Sequence, residues 1–500
     1  MTYDQEHPAP PAEPARPASH DTQNPEALLR FMMERWAPAP RKLPARQRHA
    51  EAFAARRRAL SARFPGEVLV VPTGHEKVRA NDTYFRFRPG SDFFWLTGNL
   101  EPDCALVLSP APGGGHQAHL YVEPNPGRSD QTFFTDRRKG ELWVGPRLGV
   151  EQSRAHAGVD AAHPLTELPA FLAANPGARV LRGLSEAVDA AVPVRDAGAP
   201  DAALATALGE LRLCKDALEV AELRKVIAAT RRGFEDVIRA LPASRSERAV
   251  EGVFGLRARV EGNDVGYGTI AASGAHACVL HWTRNDGALR ARDLLLLDAG
   301  VEGHALYTAD ITRTLPLSGR FSPAQREIYE LVWRSQQAAL KAVKPGNDFM
   351  EPNRQAMRVL AEGLEALGIL PTTAQEALRD DRQLYKRYSL HNVSHMLGLD
   401  VHDCAKARQE VYRHGPLQPG MVLTVEPGLY FQLDDLTVPA RYRGIGVRIE
   451  DDVLVTATGH KNLSASIPSE AGAVERWMQS LLPKLSPRGS RARAAPRRRR

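Results

Sequence analysis

An α/β domain followed by a larger α+β domain is the fold class this sequence predicts. Three observations carry it. From Gly66 onward, short β-branched or aromatic runs alternate with Gly/Pro turns, and helix-like stretches are interleaved with them. Past residue 206, long amphipathic helices flank near-continuous apolar strands such as DLLLLDAG at 293–300. The chain has 500 residues, against about 150 for a typical domain. Two full domains with an extension at each end fit that length.

The composition excludes several classes before any motif is read. Apolar residues make up 43% and charged residues 25% of the chain, an ordinary globular balance that argues against a disordered or collagen-like protein. No apolar run approaches the ~20 residues of a membrane helix. The four cysteines, Cys104, Cys214, Cys278 and Cys404, lie far apart with no C-x-x-C pair, which fits a reducing cytoplasm better than a disulfide scaffold or a zinc ribbon. The formal charge of +7 is local. Seven arginines (Arg488, Arg491, Arg493 and Arg497 to Arg500) crowd the C-terminal stretch, and without them 59 basic groups face 59 acidic ones. The stretch 484–500 therefore reads as a basic disordered tail, able to touch nucleic acid only weakly and in a salt-dependent way.

Taken in order, residues 1–25 are Pro/Ala-rich with no hydrophobic block, so they read as a disordered leader and not as a signal peptide. The N-terminal α/β domain is placed at 26–200. Helical periodicity runs from Pro25 to about Arg63; EVLVVPTG, FFWLTGN, CALVLSPAPGGG and HLYVEPNPG read as strands; helix-like patterning follows around 141–158 and 184–192. The small, polar stretch DAGAPDAALAT at 196–206 reads as a linker.

The second domain is placed at 206–475. Leu218, Ala221, Val226, Ile227 and Phe234 recur at helical spacing. In SPAQREIYELVW, Ser322 suits an N-cap, Pro323 the first helical position and Gln325 a capping box, and that helix should stop before KPG at 344–346. A further helix over 350–367 ends at Gly368. DLLLLDAG, YTADITRTLPL, GMVLTVEPGLYF and IGVRIEDDVLVT supply the strands.

The chemistry is signalled by where the acids fall. Asp298, Asp310, Glu426 and Glu450 each end or interrupt an apolar strand. Any one of them alone reads as a strand-end acid paired with an arginine or capping a turn. Four of them, with His391, His395 and His402 in SLHNVSHMLGLDVHD between the pairs, point to a cation, because burying ionised carboxylates unpaired costs several kcal/mol or more. Carboxylates outnumbering imidazoles suit hard or borderline ions such as Mn²⁺ or Mg²⁺. A pair of such ions generates hydroxide near neutral pH and polarises a carbonyl, which makes the chain a candidate dinuclear metallohydrolase.

The ordered motifs HWTRND, DAGVEGHALYTADITRT, HNVSHMLGLDVHD, LTVEPGLY and YRGIGVRIEDD resemble those of the pita-bread metallopeptidases, and within them the aminopeptidases P that cleave Xaa-Pro bonds. The resemblance spans roughly residues 60–470, and YFRFRPGSDFFWLTGN is similar to the N-terminal domains of aminopeptidase P and prolidase. It implies a creatinase/methionine aminopeptidase-like catalytic domain holding two Mn²⁺, or other divalent ions. Asp298, Asp310, His395, Glu426 and Glu450 would be the ligands. Asp310 and Glu450 would bridge the ions, Asp298 would bind one of them, and His395 and Glu426 would complete the other. By the same resemblance Glu426 manages the proton of the bridging water, and His281, His391 and His402 line the substrate site and stabilise the tetrahedral intermediate. Arg448 would steady the acid network and Tyr430 support it from behind. The expected substrates are peptides with an N-terminal Xaa-Pro, the expected assembly a dimer or tetramer. Two other readings stay open: a prolidase restricted to dipeptides, and a non-catalytic pita-bread binding protein. One departure stands out. Asp298 and Asp310 are twelve residues apart, one more than is usual in aminopeptidases P, and a one-residue insertion in a turn over Val301–Ala305 would absorb it without moving either side chain.

Overall fold

The structure, a computed structural model, describes residues 24–37 and 42–482. The tail expected at 484–500, and all but the end of the leader expected at 1–25, lie outside the described residues. The chain divides into two compact units between Leu204 and Ala205.

The first unit is built on a five-stranded mixed sheet with the spatial order Ala161–Pro164, His116–Val122, Ala105–Pro110, Leu69–Pro72, Arg179–Val180. Leu69 to Leu108 and their neighbours pair antiparallel in the middle, and the two outermost strands are added parallel. Two expectations for this unit are corrected. FFWLTGN is not a strand: Ser91–Thr97 is a helix, closed by Gly98 at φ 66°. Five consecutive residues of it, Phe93 to Thr97, are buried, and a short run apolar on every side carries no period that separates strand from helix. The stretch 196–206 is not an open linker either, since Ala199–Leu211 is a helix. Its alanines have the strongest helix propensity, and Pro200 and Asp201 suit a first turn. The helical reading over Pro25 to Arg63 is interrupted as well: Glu26–Met33 and Ala50–Ser61 are the helices there.

In the second unit, Leu294–Ala299 is the middle strand between Ile311–Pro316 and Ile270–Ser273. Every residue of Leu294–Ala299 is buried, as expected of a strand covered on both faces. Helices Ala217–Ala240 and Glu247–Glu261 pack on one another and on this sheet, and Pro323–Ala342 pairs with Glu351–Ala366. Ser322 and Gln325 form the capping box anticipated for Pro323–Ala342. A second sheet orders Val422–Val425, Asp451–Val455 and His460–Asn462, and Gly428–Tyr430 pairs with Gly446–Arg448.

The long spacing between the two aspartates has a simple geometry. Pairing runs without a slip from Leu294↔Pro316 through Ala299↔Ile311, and Glu302 bridges Thr308 in the same register. Val301 and Glu302, which the sequence reading put in the turn, are themselves a strand paired with Asp264–Val265. The turn is therefore Gly303–Tyr307, where Leu306 takes φ 61°. No bulge re-aims either aspartate.

Candidate active site

Strand alternation sets the acids on one face. Asp298 lies directly opposite Thr312, and directly opposed side chains share a face of the sheet. A period of two then adds Asp310 and Thr314 to that face and turns Arg313 to the other. Thr312 donates from Oγ1 to Glu450 Oε2 at 2.6 Å, and Thr314 Oγ1 donates to the Arg448 carbonyl at 2.9 Å. On the opposite face the fully buried Arg313 grips the Glu450 carbonyl at 2.6 Å and Asp451 Oδ1 at 2.7 Å. The same few residues of one strand thus carry an acid and fix the segment bearing another.

All the site residues expected from sequence except Tyr430 line one cavity of about 550 Å³, together with Tyr267, Ile270, Leu280, Thr283 and Val401. Tyr430 stands behind its wall: its hydroxyl lies 2.7 Å from His391 Nε2 and accepts from Arg448 Nη1 at 3.0 Å. Arg448 Nη2 reaches Asp298 Oδ2 at 2.5 Å. His395 Nε2 is 3.3 Å from Asp310 Oδ2 and 3.4 Å from Glu426 Oε1, while its Nδ1 faces the Met396 carbonyl at 3.2 Å. Ligand atoms of Asp310, His395 and Glu450 all lie within 4.8 Å of one another. His391 has both nitrogens engaged, Nδ1 with the Asn392 carbonyl at 2.9 Å and Nε2 with Tyr430. His281 and His402 are exposed to the cavity.

The electrostatics are those of a crowded acid cluster. Burial, with Asp310, Glu426 and Asp298 around it, pushes Glu450 well above the usual carboxylate range. Burial likewise raises Asp310 to about 6, with His395 pulling the other way. Burial opposes ionisation of Glu426 too, but His395, His391 and Arg448 outweigh it and hold that acid down at about 2. Burial lowers His391, keeping it neutral near pH 7. Glu450 Oε1 is buried and has no hydrogen-bond partner among the described residues. An acceptor stranded in that way is costly unless something positive meets it. Four carboxylates, one imidazole with a ring nitrogen turned toward them and one stranded oxygen fit a hard divalent cation.

Several contributors left no mark in the sequence reading. Tyr267 places its hydroxyl 2.7 Å from Asp298 Oδ1 and 2.5 Å from Asp310 Oδ1, joining the two aspartates. Asp452 Oδ2 accepts the Asp310 backbone N–H at 3.2 Å. The loop bearing His402 is fastened by Asp403, which accepts from Lys215 Nζ at 2.9 Å and from Arg212; Arg212 also binds Asp400 at 2.8 Å. Only the alternation of Asp310, Thr312 and Thr314 in ADITRT offered a signal, because it puts three polar side chains on one face of the strand.

Comparison with known proteins decides the family. Residues 221–457 match the model of metallopeptidase family M24, and residues 53–179 match the aminopeptidase P N-terminal domain. The chain is 51% identical over 431 residues to Xaa-Pro aminopeptidase 1 of Streptomyces coelicolor, covering 86% of this chain and 87% of that one. The chain belongs to metallopeptidase family M24. Its M24 kinship extends to the Escherichia coli Xaa-Pro aminopeptidase, at 34% identity over 85% of this chain and 97% of that one. In solved structures, Escherichia coli aminopeptidase P with the inhibitor Pro-Leu superposes with a TM-score of 0.78 at 33% identity, covering 87% of this chain and 99% of that one. The architecture is accordingly an aminopeptidase P-type N-terminal domain followed by the pita-bread catalytic domain of the M24 enzymes.

Proposed function

We propose that this chain is a metal-dependent aminopeptidase that releases the N-terminal residue from peptides with proline at the second position. The observation that carries the reading is the convergence of Asp298, Asp310, His395, Glu426 and Glu450 on one cavity in an M24 fold whose close relatives bear that activity in their names. Those five residues would hold two divalent ions, Mn²⁺ foremost because the donors are mostly carboxylate oxygens. When bound, such ions supply a nucleophile from water at neutral pH and polarise a carbonyl.

The remaining work falls to the chain's own side chains. Glu426, ionised at working pH, is suited to take the proton of the attacking water and to pass it toward the proline nitrogen. An Xaa-Pro bond has no amide N–H, so the leaving nitrogen must be protonated without help from a substrate hydrogen bond. His391 is committed to Tyr430 and Asn392. His402 and His281, exposed to the cavity, are therefore the better donors to a developing oxyanion. Arg448 and Tyr267 hold Asp298 from two sides.

The reading extends to setting and assembly. All four cysteines are unpaired, Cys104, Cys278 and Cys404 buried and Cys214 exposed, which supports a reducing cytoplasm. No described helix is long and apolar enough to cross a membrane. The assembly proposed is a dimer or tetramer, which light scattering reads. The activity is tested with an Xaa-Pro-Pro tripeptide and an Xaa-Pro dipeptide. Release of the first residue from the tripeptide is the expected result. Cleavage of the dipeptide alone would make the chain a prolidase, and inertness toward both would make it a binding protein.

A further inference from the structure

The cavity wall that carries His281 is a loop, residues 274–288, that opens with the 3₁₀ turn Gly274–Cys278 and continues as irregular chain through His281. His281 is exposed, and its ring takes no hydrogen bond from a described residue. Its position is therefore set by the loop backbone. Much of the segment on either side of His281 is tied to a single acid from another element. Glu247, the first residue of helix Glu247–Glu261, is fully buried. Its Oε1 accepts from the Ser273 N–H at 2.7 Å and from His276 Nδ1 at 2.8 Å. Its Oε2 accepts from Trp282 Nε1 at 2.8 Å and from the Gly287 N–H at 2.7 Å. The four donors come from both ends of the loop and from the residue next to His281.

A buried carboxylate is expensive unless its lone pairs are used. Here four donors occupy them, and the N-terminus of the helix adds favourable charge. The fit is close: a Cβ on Gly287 would sit 2.7 Å from Glu247 Oε2 and 2.6 Å from His276 Nδ1. His276 and Trp282 stack at 3.9 Å between ring centroids, so both rings are steadied by the same acid. Asn285, buried at φ 48°, ties the loop to Ala271 and Thr269 by bonds of 2.9 Å. An apolar residue at 247 could fill this space, but it could not order both ends of the loop at once.

We propose that Glu247 is the positioning residue for His281, acting through Trp282 and the base of the 274–288 loop. This rests on His281 serving the substrate site in the peptidase reading above. Misplacing a transition-state group by an ångström costs turnover by factors approaching 10². It leaves ground-state binding largely intact. The variants are E247Q, H281A and the pair together, with W282F as a milder companion that loses only the indole N–H. In E247Q the amide NH₂ must face at least one N–H that can only donate, whichever way it turns.

In the metal-loaded full chain, E247Q is expected to lower kcat on Xaa-Pro-Pro by about tenfold or more with KM within about twofold, and with metal content unchanged. W282F should show a smaller loss of the same kind, and it carries the test if E247Q does not fold. In the H281A background either change should cost less than about a further twofold, because a residue that acts only through His281 has nothing left to position. Additive losses in that background, or unchanged turnover in both E247Q and W282F, would overturn the positioning role. Unchanged turnover in H281A alone would also overturn it, by removing His281 from the reaction while the peptidase activity stands; inertness of the unsubstituted chain toward both peptides is the separate failure of the peptidase reading.

Discussion

Glu450 and Glu426 show how far two acids in one cavity can be driven apart. Glu450 is crowded by three carboxylates, and one of its oxygens has no hydrogen-bond partner among the described residues. Glu426 is beside His395 and His391 and stays ionised to about pH 2. Groups whose environments separate their proton affinities are those suited to distinct roles in catalysis. Glu426→Gln keeps the shape and removes the charge, so its turnover should fall by roughly 10²–10⁴-fold. The melting temperature of the metal-free chain should fall, since His395, His391 and Arg448 lose the carboxylate that they hold ionised. Steady-state kinetics beside calorimetry read both outcomes. Undiminished turnover would remove Glu426 from proton transfer.

Among the elements, the hairpin from Leu294 to Pro316 does most to build the site. It carries Asp298 and Asp310, and its Thr312 and Arg313 fasten the Glu450 segment from opposite faces. Thr312→Val retains the branched shape and deletes the hydroxyl that donates to Glu450 Oε2. Metal affinity should weaken by about 10- to 100-fold, measured by titration of the apo chain, while the strand remains folded. Unchanged affinity would mean that the Thr312 bond does not orient Glu450.

This hairpin was also the most legible part of the sequence. A continuous apolar run ending in an acid has one economical explanation, a buried strand presenting a ligand, and DLLLLD and YTADIT both have that form. FFWLT had comparable apolar density without a clear period, and it proved to be a helix. Tyr267 and Glu247 left no local trace because Asp298 lies 31 residues from Tyr267 and Trp282 lies 35 from Glu247. Contacts of that kind are set by topology, which residue spacing along one strand or helix does not report.

At the scale of the molecule, the catalytic unit depends on charges locked inside it. Asp403 is buried, which by itself would raise its proton affinity, but Arg212 and Lys215 outweigh that and hold it well below the usual carboxylate range. The sign follows from linkage: as pH falls through about 4, the unfolded carboxyl takes up a proton before the folded one does. The unfolded state then binds more protons, so folding stability drops with falling pH down to the depressed folded value. Near neutral pH this contribution is fully present. Asp403→Asn should cost about 3–5 kcal/mol at pH 7, because two buried cations lose their partner. The variant's melting temperature should also depend less steeply on pH below 5. Parallel acid slopes for the two proteins would remove Asp403 from that role.

The central physical claim concerns the five groups themselves: Asp298, Asp310, His395, Glu426 and Glu450 stand together because cations hold them. Its most direct measurement is calorimetric titration of the metal-stripped full chain with Mn²⁺, followed by elemental analysis of the loaded protein. The expected result is saturable uptake of two ions per chain, lost or halved in Glu450→Gln. No saturable uptake, or the same stoichiometry and affinity in that variant, would contradict the claim.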